Sequence, residues 1–278
     1  MVLMHFLLST ETSAQKMENL FPWCVANFDL NDRSPDERLS LFKRLGFTKY
    51  AFGWSDRHLD SMSYELDIME KSGIETIGVW LWVNANRDTL GMLSASNNKV
   101  LEILERDGIE TTLWFAMSPN FFEGLDHNKA LDIAIPMVEY VCERARKIDC
   151  KVALYNHTGW FSYINNELEI IKALPDYEIK LVYNFHHAQS DVEEFARISS
   201  SMAPFLAAVN LGGVQINGPK IIPIGKGDHE KSMIKRLMAL GFHGPWGILD
   251  HVNEKDSEEV LRQNLEGLNS LDIKLNVR

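Results

Sequence analysis

The chain has 278 residues, with 28 Lys plus Arg against 39 Asp plus Glu and a formal charge of −11. Its 45% hydrophobic and 24% charged content is that of a globular protein, and a chain of this length buries roughly three quarters of its unfolded surface. The acidic balance argues against nucleic acid, whose phosphates are bound mainly by Lys and Arg, and no apolar run reaches the roughly 18 residues that a membrane span needs.

Met1 to Leu8 is apolar, and Ser9 to Gln15 is small and polar, ending Ser13-Ala14-Gln15. This resembles the apolar and cleavage regions of a secretory signal, without the basic segment that usually precedes them. Residues 1–17 are therefore read as a leader. Two locations stay open: cytoplasmic, or exported to the periplasm if residues 1–15 are a signal remnant. A single domain is expected over residues 18–278.

From Leu20 onward a short apolar run, a helical stretch and a glycine recur in turn. The apolar runs predict eight strands: Phe21–Phe28, Tyr50–Trp54, Thr76–Val83, Thr111–Met117, Lys151–His157, Lys180–His186, Leu206–Leu211 and Trp246–His251. They show little alternation, as parallel strands covered by helices do. Ser34-Pro35-Asp36-Glu37 reads as a capping box with Pro at the first helical position, and Asp256 as another N-cap. Gly46, Gly73, Gly108 and Gly241 mark helix exits, where the left-handed conformation ends a helix. Eight βα units without a linker predict an α/β fold, a single-domain (β/α)8 TIM barrel. A doubly wound sheet lacks support, because no GxGxxG turn follows the first strand.

Cys24, Cys142 and Cys150 have no CxxC spacing and are expected to be idle thiols rather than a zinc or disulfide framework.

Barrel chemistry sits where strands end on the C-terminal side. Four of the nine histidines fall there: His157, His186, His187 and His251. Alternation puts His157 on the face of Tyr155 and His251 on that of Leu249. Asn184 and His186 share a face unless the chain leaves strand geometry and turns His187 inward. Asp250 then points to the helices or the rim. Three imidazoles, His157, His187 and His251, fit either a divalent metal with an open position or proton transfer on a polyol. Asn156, Asn184, Asn210, His186 and Asp250 are candidate hydroxyl binders. Trp160, beside His157 and Gly159, is the aromatic best placed to stack on a sugar ring. In Pro223-Ile224-Gly225-Lys226-Gly227-Asp228, Asp228 reads as an N-cap, the glycines as a close backbone approach to a ligand, and Lys226 as a cation for an oxyanion.

These strand ends resemble the xylose isomerase-like TIM-barrel superfamily of sugar isomerases and epimerases. The most specific parts are Tyr155 to Gly159, His187-Ala188, the Pro223 to Asp228 loop and Gly241 to Pro245. The resemblance implies a divalent metal (Mn, Zn or Mg) that polarises a hydroxy-carbonyl unit while paired glutamates move a proton. This chain departs from that pattern. The family's strand-5 Glu falls on Tyr155, its strand-6 Asp on Asn184, its strand-7 ligand on Asn210, and its strand-8 Glu on Leu249, or on Asp250 with a one-residue slip. Tyr, Asn, Asn and Leu leave little negative charge for a hard cation.

Three readings follow. The first is an enzyme that isomerises, epimerises, hydrates or eliminates from a small-molecule sugar or keto-sugar, with His157, His187 and His251 as acid, base or metal ligands. The second is a non-catalytic sugar-binding barrel that has lost its metal site. The third is a metalloenzyme with a His-rich centre. Oligomeric state is left open.

Overall fold

The computed structural model describes residues 19–252 and 254–273. The expected leader lies outside the described residues. Eight strands run Leu20–Trp23 (β1), Lys49–Phe52 (β2), Glu75–Val83 (β3), Thr112–Met117 (β4), Lys151–Tyr155 (β5), Lys180–Asn184 (β6), Leu206–Leu211 (β7) and Trp246–Leu249 (β8). Their lateral order is β1-β8-β7-β6-β5-β4-β3-β2, and every ladder is parallel. β1 packs beside β2 without a ladder, so the ring is nearly closed. This is the predicted TIM barrel.

Nine α-helices lie among the described residues: Val25–Phe28 (α1), Pro35–Leu45 (α2), Met62–Lys71 (α3), Ala95–Asp107 (α4), His127–Arg146 (α5), Ile164–Ala173 (α6), Phe195–Met202 (α7), Glu230–Ala239 (α8) and Ser257–Ser270 (α9). Among the described residues none is long and apolar enough to cross a membrane. Local chemistry explains their ends. Ser34 and Glu37 form the capping box on α2, and Asp256 caps α9 by accepting from Glu258 N at 2.7 Å. Gly46, Gly73, Gly108 and Gly241 all have positive φ, which an L side chain adopts at a cost.

The barrel interior is filled by large rings from four strands. Trp114 of β4 lies 4.8 Å from Trp23 of β1 and 6.1 Å from Tyr155 of β5, centroid to centroid, and Trp80 of β3 meets Tyr155 at 5.0 Å. Such bulk needs small neighbours. Any Cβ at Gly78 would collide with the Trp114 indole, and one at Gly247 with Phe21 and Asn210. The packed rings raise a floor under the C-terminal mouth, and the mouth is where the predicted site residues gather.

Five strands end earlier than expected, β2 among them at Phe52 rather than Trp54. β1 stops at Trp23, because Cys24 has φ 67° and turns the chain into α1. β5 stops at Tyr155, β6 at Asn184 and β8 at Leu249. At β6 the cause is visible: Asn184 Oδ1 accepts from His186 N at 2.9 Å and starts a 3-10 turn over Phe185–His187.

Candidate active site at the barrel mouth

The 3-10 turn after β6 decides which histidines meet. It sends its two adjacent rings, His186 and His187, to different partners. His187 meets His157 with centroids 4.9 Å apart, and His186 meets His251 at 5.2 Å. Phe28 of α1 packs against His251 at 4.0 Å, so the turn at Cys24 also supports the mouth. The Tyr155 ring centroid is 6.1 Å from that of His157.

Two connected spaces share these rings. An inner cavity of about 140 Å³ is lined by Tyr155, Asn184, His157, His187, Leu249 and His251. Trp23, Cys24, Asn27 and Phe28 close its other side. Above it opens a basin of about 610 Å³, where His157, His186 and His187 face Gln189, Glu193 and Lys220. Trp82 lies edge-on to His157 at 4.7 Å and is stacked against Trp80 at 5.8 Å.

The imidazoles are held neutral. Burial lowers His157 to about 4, with Lys220 and then the neighbouring His251 adding to it. Burial also lowers His187 to about 2, with His157 and then Lys220 adding to it, and His186 to about 3, with His251 and Lys220 adding to it. His251 moves down for the same reasons, burial first and Lys220 second. Unprotonated rings, three of them lining the small cavity and His186 the basin, offer proton acceptors rather than fixed positive charge.

At the floor, three strands and β1 converge on one phenol. Trp23 Nε1 donates to Tyr155 Oη at 3.1 Å, Asn210 Nδ2 at 3.3 Å, and Asn184 Nδ2 also donates to it. Asn156 is fully buried below, with its Oδ1 accepting from Asn184 N at 2.7 Å and its Nδ2 directed at Asn184 O at 3.4 Å. Asn156 therefore ties β5 to β6 and leaves little for a hydroxyl. Asn184 and Asn210 both lie against the Tyr155 hydroxyl, and Asn184 also lines the inner cavity.

The metal implied by the family resemblance was tested against these donors. Tyr155, Asn184 and Asn210 do converge, but all are neutral, Asn184 turns N–H toward the centre because its Oδ1 is held by His186 N, and Leu249 adds no donor. That set does not fit a hard divalent cation, which takes oxygen ligands and negative charge. Among the described residues no group of three or more His, Cys, Asp or Glu is arranged to hold a metal. His157, His187 and His251 all line the inner cavity, with the His251 ring in contact with His186.

Other sequence expectations change in the structure. Trp160 turns away from the mouth, packing on Phe122 at 4.8 Å and His127 at 5.7 Å. The indoles at the mouth are Trp23 and Trp80, with Trp82 beside them. Lys226 is exposed and lines neither space, whereas Lys220 lines the basin. The glycine loop is closed on its own chain: Glu230 accepts from Gly225 N, Gly227 N and Val214 N at 2.9–3.1 Å. Asp228 is not the cap of α8. His229 holds that position, and Asp228 accepts from Gln215 Nε2 at 3.1 Å. Asp250 is fully buried behind the mouth, where it accepts from Ser257 Oγ. Burial raises its pKa to about 7. Cys24 lines the inner cavity, with its thiol pushed up by burial and so protonated. Burial likewise raises Cys142 to about 12 and moves Cys150 upward, and all three thiols are free.

Sequence reasoning missed Tyr155 as a site residue, along with Trp23, Cys24, Phe28 and Lys220. The β1 group was hidden because residues 21–28 read as one strand. Only the left-handed turn at Cys24 brings them to the mouth, and a cysteine gives no sequence signal for that turn.

A family profile described as "Xylose isomerase-like TIM barrel" matches residues 55–271. Among solved structures, the chain is similar to the IolI protein with a bound zinc atom (TM-score 0.69, 11% identity, 94% of this chain and 100% of that one). It is similar to D-psicose 3-epimerase from Clostridium cellulolyticum H10 with D-tagatose (0.62, 12%, 94% and 100%). It is also similar to 3-keto-D-glucoside 4-epimerase from E. coli (0.64, 12%, 91% and 99%). At such identities the likeness establishes the fold. No curated protein sequence matches the chain.

Proposed function

The chain belongs to the xylose isomerase-like TIM-barrel family, and on that footing we propose that it is a carbohydrate-active enzyme that moves a proton on a sugar or keto-sugar with histidine rather than glutamate. The observation that carries the proposal is the His157–His187 contact at 4.9 Å, at the junction of the inner cavity and the open basin. Isomerisation, epimerisation and elimination beside a carbonyl share one demand: a proton must leave carbon and its electrons must be held on oxygen. A neutral imidazole takes the proton, the C–H pair becomes a C=C bond, and the carbonyl π pair moves onto oxygen to give an enediolate. Return of the proton to the neighbouring carbon isomerises, return to the opposite face epimerises, and loss of a leaving group eliminates. His157 and His187 are assigned to this transfer, and His251 with His186 to hydroxyl recognition on the far side of the cavity.

The setting supports the assignment. Both rings are neutral at pH 7, as a base must be. Trp80 and Trp23 present indole surface for the apolar side of a sugar. Lys220 and Glu193 face the same basin, suited to hydroxyls entering from solvent. Sugar isomerases and epimerases share this fold, which supports a small-molecule carbohydrate as substrate.

The test is incubation with a panel of ketoses and keto-sugars, with products read by NMR, for the wild type and for His157→Ala, His187→Ala and His251→Ala. Conversion that depends on His157 and His187 supports the enzyme. A second reading, a sugar-binding barrel without catalysis, is favoured by the neutral Tyr155–Asn184–Asn210 cluster. Saturable binding with no product after long incubation supports that reading instead.

A further inference from the structure

Two arginines stand apart from the rest. Among the described residues, neither Arg57 nor Arg87 donates a side-chain hydrogen bond, whereas every other described arginine donates at least one. Both line one open cleft of about 500 Å³, together with Trp54, Trp80 and Trp82. The loops after β2 and β3 build this cleft on the C-terminal side of the barrel. Trp80 and Trp82 lie two residues apart on one face of β3, with their rings stacked at 5.8 Å and 18°. Trp54 Nε1 donates to Trp80 O at 2.6 Å, which fixes the third indole beside them.

The loop that carries Arg87 is pinned from behind. Asp88 accepts from Asn84 N at 2.9 Å, Ser94 N at 2.7 Å and Asn97 Nδ2 at 2.9 Å. Arg87 Nε lies 3.7 Å from that carboxylate, beyond hydrogen-bond reach. Arg57 faces Asp32 at 3.1 Å, but both side chains are more than half exposed, and water and salt weaken such a pair. Trp80 is also a wall of the inner cavity, and Trp82 lies edge-on to His157 at 4.7 Å. The cleft therefore adjoins the cavity across Trp80.

We infer that this cleft is a second sugar subsite, which holds an uncharged ring linked to the reacting sugar, so that the substrate is a glycoside or disaccharide rather than a free ketose. This rests on the enzyme reading above and deepens it. A pyranose has an apolar face of C–H groups and a rim of hydroxyls. Indole surface suits the first. The guanidinium forks supply donors for the second, and Asp56 in the same cleft supplies an acceptor. Charge favours a neutral ring over an anion. Asp32, Asp56 and Asp88 stand against Arg57 and Arg87, which leaves no net positive charge to attract one. Volume agrees. The cleft falls within the range of about 300–1,000 Å³ typical of small-molecule sites, whereas the inner cavity, at about 140 Å³, lies below it and has room for the reacting end alone.

The test is calorimetric titration of the full chain with D-fructose, D-fructose 6-phosphate and three disaccharides that carry a ketose end: lactulose, turanose and isomaltulose. It compares the wild type with Arg57→Met, Arg87→Met and the double variant, in which methionine removes the donors and keeps most of the side-chain length. The wild type is expected to bind at least one disaccharide about tenfold tighter than D-fructose. The double variant is expected to lose that preference while its melting temperature holds. Equal affinity for D-fructose and all three disaccharides overturns the inference, as does a preference that the double variant keeps. Tighter binding of D-fructose 6-phosphate that depends on the arginines also overturns it, since the cleft then takes an anion. Turnover is read separately, by deuterium incorporation in D₂O. An arginine-dependent preference for a disaccharide, with neither exchange nor product, sinks the enzyme reading and leaves the subsite as part of a sugar-binding barrel. Exchange without that preference sinks the subsite and leaves the enzyme reading. If none of these sugars binds, both fall.

Discussion

His157 and His187 follow different strands, β5 and β6, and meet ring to ring at 4.9 Å, inclined at 55°, although no strand alternation brings them together. The contact depends on Asn184, whose side chain accepts from His186 N and bends the chain out of β6. A hydrogen bond two residues away thus decides which of two adjacent histidines faces β5. Asn184→Ala is expected to free that bend. It should cost about 1–3 kcal/mol, since the backbone N–H of His186 is left buried and unpartnered, and lower turnover more than sugar affinity. Chemical denaturation beside kcat and KM checks this, and an unchanged kcat contradicts it.

Removing either ring of the pair should stop proton transfer. His157→Ala and His187→Ala are each expected to lower turnover by about 10²–10⁴-fold, the usual contribution of a general acid or base. The double variant should be little worse than either single one, because the rings act as a unit. Steady-state kinetics on one converted ketose decides this, and additive losses count against a shared role.

The pH profile follows from the depressed ring pKa values. His157 sits at about 4 and His187 at about 2, so both are unprotonated throughout the neutral range. The acid limb of kcat/KM should therefore fall below roughly pH 5, not near the ordinary histidine value of about 6.5. The pair titrates together, so the limb belongs to both rings. Lys220→Met removes the positive charge that helps lower all four rings, and should move the limb upward. A limb centred at 6.5 in the wild type would contradict the burial argument.

Stability should respond to pH from two sides. The buried histidines have folded-state pKa values below their unfolded ones. Their contribution is full above about pH 6.5 and is lost as pH falls toward the values near 4, 3 and 2. Glu167 works the other way. It is fully buried on α6 with neither oxygen partnered, and burial, then the charge of Asp191, raises it well above the usual range. A raised carboxyl favours the fold below the unfolded value and loses that contribution as pH rises. Asp250, raised to about 7, adds to the loss between about 4 and 7. Glu167→Gln should therefore raise the melting temperature at pH 8 by several degrees and much less at pH 4. Equal shifts at both pH values exclude the ionisation argument.

Gly159 carries the chain from His157 to α6. It has φ +67°, and a Cβ there would stand 2.9 Å from Pro119 Cγ. Gly159→Ala is expected to cost about 1–3 kcal/mol and to weaken sugar binding, since Gly159 lines the basin beside His157. Denaturant unfolding and a binding titration check the two effects separately.

Much of the fold was legible because it is written locally. Ser34-Pro35-Asp36-Glu37 caps a helix, Gly46 and Gly108 end helices, and apolar runs such as Leu113–Met117 become buried strands. The histidines at strand ends were legible for the same reason. What failed were inferences that needed a side chain's non-local partner. The glycines at 225 and 227 looked like a ligand cradle, but their N–H groups go to Glu230. Trp160 looked like a sugar platform but fills space beside Phe122. Tyr155 looked like the loss of a metal ligand, and only the donors from β1, β6 and β7 show what stands there instead.

The central claim is that His157 and His187 move a proton on a sugar. The most direct measurement is wash-in of solvent deuterium at the carbon beside the carbonyl of a ketose, followed by NMR for the wild type, His157→Ala and His187→Ala. The account predicts steady incorporation by the wild type and a loss of at least about 100-fold in each variant, with both variants folded by circular dichroism. Incorporation at the wild-type rate in both variants would contradict it.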